Sequence, residues 1–273
     1  MARKASRAAA AMAVLCVMTA VAGCSQSSLP DDDKSWASEP LGMQTPPVGE
    51  AKLDPSVHGK TVLVVGDSWA GNLAEGMSSV SSGKNRIVDA GLGGCGIMLP
   101  RTQMGHEPPA VCSAWPKKWP AYMKKYKPDA VLLRTGNWDI VSQTFDGIPF
   151  EVDVTNPIFR ERFRMETERA IDILTADGTP LYMTNVRISE DERYHVRTLA
   201  MNHTVRKVAK ANEDKGVHLL NLTKQMCNDR GCPVNLQGHY LFDESGHPDK
   251  WARDRLANWI LNSMFAKEHA ASR

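Results

Sequence analysis

The 273-residue sequence has no apolar run of the roughly 20 residues that a helix needs to cross a bilayer. It has no Cys-x-x-Cys pair, which argues against a structural zinc site, and no His-Glu-x-x-His, the helical spacing of a zinc protease. It has no Gly-x-Ser-x-Gly elbow, so the α/β-hydrolase fold is disfavoured. It has almost no net charge: 33 basic against 31 acidic side chains. Removing residues 1–23 takes away three cations (Arg3, Lys4, Arg7) and no acid, leaving 30 against 31. Without a basic stripe, a nucleic-acid partner is not expected.

The N-terminus reads as a targeting segment. Arg3, Lys4 and Arg7 are followed by a short run of small apolar side chains to Ala22. Its end, Val21-Ala22-Gly23-Cys24, resembles the bacterial lipoprotein signal, in which the Cys becomes the lipidated first residue. Two acyl chains hold a protein at a membrane surface. The expected layout is a signal over 1–23 and a flexible tether over 24–58, rich in Ser, Pro, Asp and Gly. A single domain over 59–266 and a short tail, 267–273, follow.

Six cysteines divide cleanly. Cys16 lies in the signal and Cys24 is the lipidation candidate. Cys95, Cys112, Cys227 and Cys232 are an even set, as expected in an oxidising compartment. Four cysteines allow three pairings; Cys95–Cys112 and Cys227–Cys232 are favoured because each brackets a short loop.

From Lys60 the pattern alternates strand and helix. Strands are expected at Thr61–Val65, Arg86–Ala90, Ala130–Arg134, Leu181–Asn185 and His218–Asn221. Helices are expected at about Trp69–Ser79, from Trp115 to Tyr126, Arg160–Ala176, Arg193–Lys215 and Asp249–Met264. Trp138 to Pro157 is long and irregular. Such alternation implies a parallel sheet covered on both faces, with the site at the carboxyl ends of its strands.

Two segments carry the chemistry. The first strand runs into Gly66-Asp67-Ser68-Trp69, which sets Ser68 at a strand end and a helix start, where backbone N–H groups favour negative charge. A serine there is also a favoured helix N-cap. Near the C-terminus, Phe242-Asp243-Glu244-Ser245-Gly246-His247-Pro248 supplies acid, base and turn together. A serine nucleophile needs such a base, and the base an orienting acceptor. A His in that place can also cap the last helix.

Taken in order, these blocks resemble the SGNH (GDSL-like) hydrolase family, and in particular the SGNH domains that accompany bacterial membrane O-acyltransferases. The resemblance covers nearly all of 60–265. Gly66-Asp67-Ser68 resembles the nucleophile block, Asp89 to Gly96 the glycine block, Gly136-Asn137-Trp138-Asp139 the Asn block, and Asp243 to His247 the acid–His block. The resemblance implies a three-layer α/β/α sandwich with a flavodoxin-like parallel sheet. It implies Ser68 as nucleophile, His247 as base, and an oxyanion site made by the Ser68 N–H, the Gly94 N–H and an Asn side chain. Neither a metal nor an organic cofactor is needed.

Two departures stand out. Trp138 occupies the usual position of the oxyanion Asn, and Asn137 is displaced by one. The family's Asp-x-x-His spacing would place Glu244 as the acid, whereas Asp243 is four before His247; Asp243 is slightly favoured, because Gly246 can absorb one residue. Trp138 and Asp67 are candidate substrate contacts. Trp115 and Trp119 read as core, and Arg134 as the partner of an acid. Gly91-x-Gly93-x-x-Gly96 spells a dinucleotide fingerprint, but Pro100 and a Pro-rich loop follow instead of a helix.

The expected function is acyl-ester hydrolysis or O-acyl transfer, with acetyl groups on an envelope glycan or glycolipid as substrate. A membrane acyltransferase is a candidate partner, and lipid anchoring outside the cytoplasm the expected location. A non-catalytic glycan-binding lipoprotein of the same fold is the alternative.

Overall fold

The structure is a computed structural model describing residues 45–228 and 231–266. The signal, Cys24, most of the tether and the 267–273 tail lie outside the described residues.

Five strands form one parallel sheet: β1 (Thr61–Gly66), β2 (Arg86–Gly91), β3 (Ala130–Arg134), β4 (Leu181–Thr184) and β5 (Val217–Leu220), in the order β2-β1-β3-β4-β5. The crossovers are α1 (Ser68–Ser81), α2 (Trp115–Tyr126), α3 (Pro157–Leu174) and α4 (Glu192–Ala211). A short α5 (Leu222–Met226) and the final α6 (Lys250–Phe265) complete the set. This is the expected α/β/α sandwich. Every residue of β3 is buried, so its Val and Leu side chains serve both layers. One layer packs Trp115, Trp119, Phe159 and Phe163 against the sheet; the other packs Trp69, Leu73, Leu256 and Ile260. Trp115 and Trp119 are core residues, with ring centroids 4.7 Å apart.

The strand order reverses at β1. Its neighbours β2 and β3 diverge, and their crossovers lie on opposite faces, leaving a crevice at the carboxyl ends of β1 and β3. Ser68 follows β1 and Asn137 follows β3, so the topology alone brings both blocks to that crevice.

Three expectations need correction. Residues 45–58 are not a free tether. Val48 and Val57 are buried, and the Val48 and Glu50 N–H groups donate to Gln225 and Arg255 carbonyls at 2.8 and 2.9 Å. Asn262 of α6 accepts from the Asp54 N–H and donates to the Lys52 carbonyl. These backbone groups find partners on α5 and α6, which the segment's own composition does not reveal. The helix expected to reach Lys215 ends at Ala211 and resumes as a 3-10 turn, Glu213–Lys215. The Asn212 side chain donates to the Val208 carbonyl at 2.9 Å and competes with the ladder there. The irregular 138–157 stretch is ordered: Gln143–Thr144 pairs antiparallel with Thr102–Gln103, and Gln143 bridges Val152. Two-residue strands leave no periodicity to read.

Both expected disulfides are present. Cys95–Cys112 joins the loop after β2 to the start of α2, and Cys227–Cys232 closes a five-residue separation after α5. Among the described residues no helix is long and apolar enough to span a membrane.

Candidate active site

Ser68 and His247 meet although 179 residues separate them: Ser68 Oγ lies 2.7 Å from His247 Nε2. Neither residue caps a helix. The N-cap of α1 is Asp67, whose carboxylate accepts from the Trp69 N–H at 2.9 Å. The N-cap of α6 is Asp249. The capping work falls to neighbouring acids, which leaves the Ser68 hydroxyl and the His247 ring free for each other.

The other side of the imidazole meets a hydroxyl. Ser245 Oγ is 2.6 Å from His247 Nδ1 and 2.6 Å from Asp243 Oδ1. The direct His247–Asp243 approach is 4.0 Å. A carboxylate can only accept, so the Ser245 hydroxyl donates to Asp243 and accepts the Nδ1 proton of His247. That tautomer leaves Nε2 bare, ready to accept from the Ser68 hydroxyl. Asp243 Oδ1 also accepts from the Ser245 and His247 N–H groups at 2.9 and 3.0 Å. Its small desolvation pushes the carboxyl up, but these hydrogen bonds outweigh that and hold it below its ordinary range. Glu244 is exposed and makes none of these contacts.

The Asn block is anchored from below. Asp67 and Arg134 are both fully buried, with Arg134 Nη1 3.7 Å from Asp67 Oδ2. Burial pushes the Asp67 carboxyl up and the Arg134 guanidinium down, and each opposes the other's shift by its charge. Arg134 also stacks over Trp69 at 4.9 Å and donates to the Thr135 carbonyl and to Asn137 Oδ1, at 2.6 and 3.0 Å. The Asn137 N–H donates to Asp67 at 3.3 Å. With Oδ1 so occupied, the Asn137 amide N–H groups are the end available to the crevice, and Asn137 lines it. Asp67, expected as a substrate contact, is therefore a correction: its helix-capping and ion-pair bonds turn the carboxylate inward, away from the crevice.

Asp139 is buried too. It accepts from Thr135 Oγ1 and from the Ile97 and Met98 N–H groups, so it ties the Asn block to the glycine block. Burial pushes its carboxyl up against those hydrogen bonds. A Cβ on Gly96 would come within 2.1 Å of Asp139, which explains that glycine. In the same loop Gly94 takes φ +79° in a turn closed by the Cys95 N–H and the Leu92 carbonyl at 3.2 Å. Gly93 stands nearer the nucleophile: a Cβ there would lie 3.9 Å from Ser68 Cβ.

A groove of about 350 Å³ opens over Ser68 and His247, with Trp69, Asn137, Trp138, Ile140, Val141 and Arg187 among its walls. Trp138 lines it, as do Ile140 and Val141 of the 138–157 stretch. It continues past Met104 and Tyr194 into a polar recess of about 430 Å³ bordered by Glu151, Arg193 and Arg197. Sequence reasoning missed Ser245 and Arg187. Ser245 stood inside the acid–His block; Arg187 followed β4 with no motif around it.

A serine hydroxyl in contact with an imidazole, at the switch point of a 2-1-3-4-5 parallel sheet, with Gly and Asn blocks on the flanking strand ends, is the arrangement of the SGNH-like α/β fold. The chain belongs to the family described as "Protein of unknown function (DUF459)", which residues 61–232 match; His247 lies beyond the matched span. No curated protein sequence matches it. Among solved structures it is similar to Axe2, an acetylxylan esterase from Geobacillus stearothermophilus, at 14% identity and TM-score 0.48, covering 80% of this chain and 96% of that one. The periplasmic domain of the Salmonella ser. Paratyphi A lipopolysaccharide acetyltransferase gives 14%, 0.44, 76% and 84%. TesA gives 16%, 0.46, 76% and 100%.

Proposed function

We propose that this protein is a serine-dependent acyl-ester hydrolase or O-acyltransferase, working through an acyl-Ser68 intermediate on an acylated envelope carbohydrate or glycolipid. The observation that carries the reading is the 2.7 Å contact between Ser68 Oγ and His247 Nε2, with Nδ1 held by Ser245. Ser68 Oγ attacks the ester carbonyl and its proton passes to Nε2. The carbonyl electron pair moves to oxygen, where the Ser68 and Gly94 N–H groups and the Asn137 amide would receive it. The C–O bond to the alcohol then breaks, and the alcohol leaves with the proton from Nε2. Water or a sugar hydroxyl next gives its proton to Nε2 and attacks the acyl carbon; the bond to Ser68 Oγ then breaks, and Oγ takes the proton back from Nε2.

A groove open past Tyr194 and Trp138 suits a saccharide, since aromatic walls stack on sugar rings. The two disulfides fit an oxidising, extracytoplasmic compartment, in keeping with anchoring through Cys24. A membrane acyltransferase partner would supply the acyl donor. The test is to incubate the protein with 4-nitrophenyl acetate, with and without an oligosaccharide acceptor. Nitrophenol release that requires Ser68 and His247 supports the enzyme. Acetylated oligosaccharide assigns transfer; free acetate at an acceptor-independent rate assigns hydrolysis. No Ser68-dependent release from any ester returns the chain to a glycan-binding role.

A further inference from the structure

One cation in the groove forms no ion pair among the described residues. Arg187 lies just past the carboxyl end of β4 and forms part of the wall that faces Ser68 and His247. Its position is fixed. The preceding residue, Val186, is clamped by Asn202, which accepts from the Val186 N–H and donates to the Val186 carbonyl, both at 2.8 Å. The guanidinium lies over the Phe242 ring, 4.3 Å from its centroid. A Cβ on Gly246, beside His247, would come within 3.4 Å of Arg187 Nη2.

Held in this way, the guanidinium makes no hydrogen bond or ion pair with any described residue. The other arginines of the groove are neutralised: Arg193 by Asp191 and Arg197 by Asp153, each at 2.7 Å, and Arg134 by Asp67 below the floor. Glu190 attracts Arg187 but forms no ion pair with it, and burial pushes the guanidinium down from its ordinary value. A half-desolvated cation with five donors and no protein acceptor among the described residues is costly. A bound carboxylate or phosphate would relieve that cost with paired, charge-assisted hydrogen bonds.

We propose that Arg187 is a substrate-binding residue and that the ester taken by this groove carries an anionic group within reach of it, a few bonds from the scissile carbonyl. This rests on the serine-ester reading and narrows it to acidic esters. The anion can sit on the alcohol side, as in an O-acetylated acidic sugar, or on the acyl side, as in a half-ester of a dicarboxylic acid.

Two matched pairs of esters separate these sources. Acetylated galacturonate oligosaccharide is compared with acetylated galactose oligosaccharide, and mono-4-nitrophenyl succinate with 4-nitrophenyl butyrate. Each is assayed on the wild type, Arg187→Met and Arg187→Lys. The expected result is a wild-type preference in kcat/KM for one acidic ester over its neutral partner. That ratio falls roughly tenfold or more in Arg187→Met and is partly kept in Arg187→Lys. The pair that responds shows where the anion sits. Equal rates within both pairs, or a preference that Arg187→Met leaves intact, overturns the proposal. If no ester is cleaved, the serine-ester reading fails and binding decides Arg187 separately. Calorimetric titration of Ser68→Ala with the two acetylated oligosaccharides should then show tighter binding of the acidic one, lost in the Ser68→Ala, Arg187→Met double variant. Equal binding of both overturns the anion site as well.

Discussion

The group hydrogen-bonded to His247 Nδ1 is the Ser245 hydroxyl, 2.6 Å away, whereas Asp243 Oδ1 lies 4.0 Å from that nitrogen. The one extra residue between acid and base is thus taken up by an inserted hydroxyl. It passes the orienting effect of Asp243 to the imidazole. Ser245→Ala removes the acceptor for the Nδ1 proton while leaving Asp243 in place. It should lower kcat about a hundredfold with KM nearly unchanged, because general-base contributions are typically 10²–10⁴-fold. Ser245→Thr keeps the hydroxyl and should recover most of the loss. Wild-type kcat in Ser245→Ala would break the proposed chain.

The two acids of the same loop should separate in function. Asp243→Asn keeps one acceptor oxygen but loses the negative charge that fixes Ser245 and His247, and its kcat should fall at least tenfold by the same reasoning. Glu244→Gln, at an exposed residue outside the Asp243–Ser245–His247 contacts, should behave as wild type. Equal loss in both, by steady-state kinetics, would discard this division.

Asp243 also predicts a pH effect. Its carboxyl is held below its ordinary range in the fold, so its stabilising hydrogen bonds are complete above the unfolded value of about 3.9. They are lost as pH falls through the lower folded value. The melting temperature of the wild type should exceed that of Asp243→Asn by a constant margin at neutral pH, and the margin should shrink below about pH 4. A margin that grows on acidification would reverse the assigned sign.

The nucleophile is tested by labelling. Ser68→Ala should abolish reaction with a fluorophosphonate and leave the circular dichroism spectrum unchanged, since Asp67 and not Ser68 caps α1. Residual labelling at another serine would exclude Ser68.

The buried pair should matter to stability rather than to chemistry alone. Arg134→Met leaves Asp67 without its countercharge at zero exposure, and losing one partner of a buried pair costs about 3–5 kcal/mol. The Asp67→Asn, Arg134→Met double variant should recover part of that loss in urea denaturation. Strictly additive losses would mean that the two groups are not coupled.

By itself the sequence determined the layers, because alternating strand and helix periods admit few packings. It also favoured, among three possible pairings, the two disulfides the structure holds, and marked the two segments whose residue types suit serine chemistry. The rest needed the tertiary structure. Whether Ser68 and His247 were caps or partners depended on which neighbour capped each helix, a matter of backbone geometry at α1 and α6. The choice between Asp243 and Glu244 turned on a hydroxyl of the same loop, whose direction spacing does not encode. Asn137 reaches the crevice because Arg134, buried beneath it, holds its carbonyl end. Residues 45–58 looked like a linker because most of their partners lie far along the chain, on α5 and α6. Arg187 carried no motif at all: a cation becomes conspicuous only where the neighbouring arginines are ion-paired and it is not, and that contrast exists only in the fold.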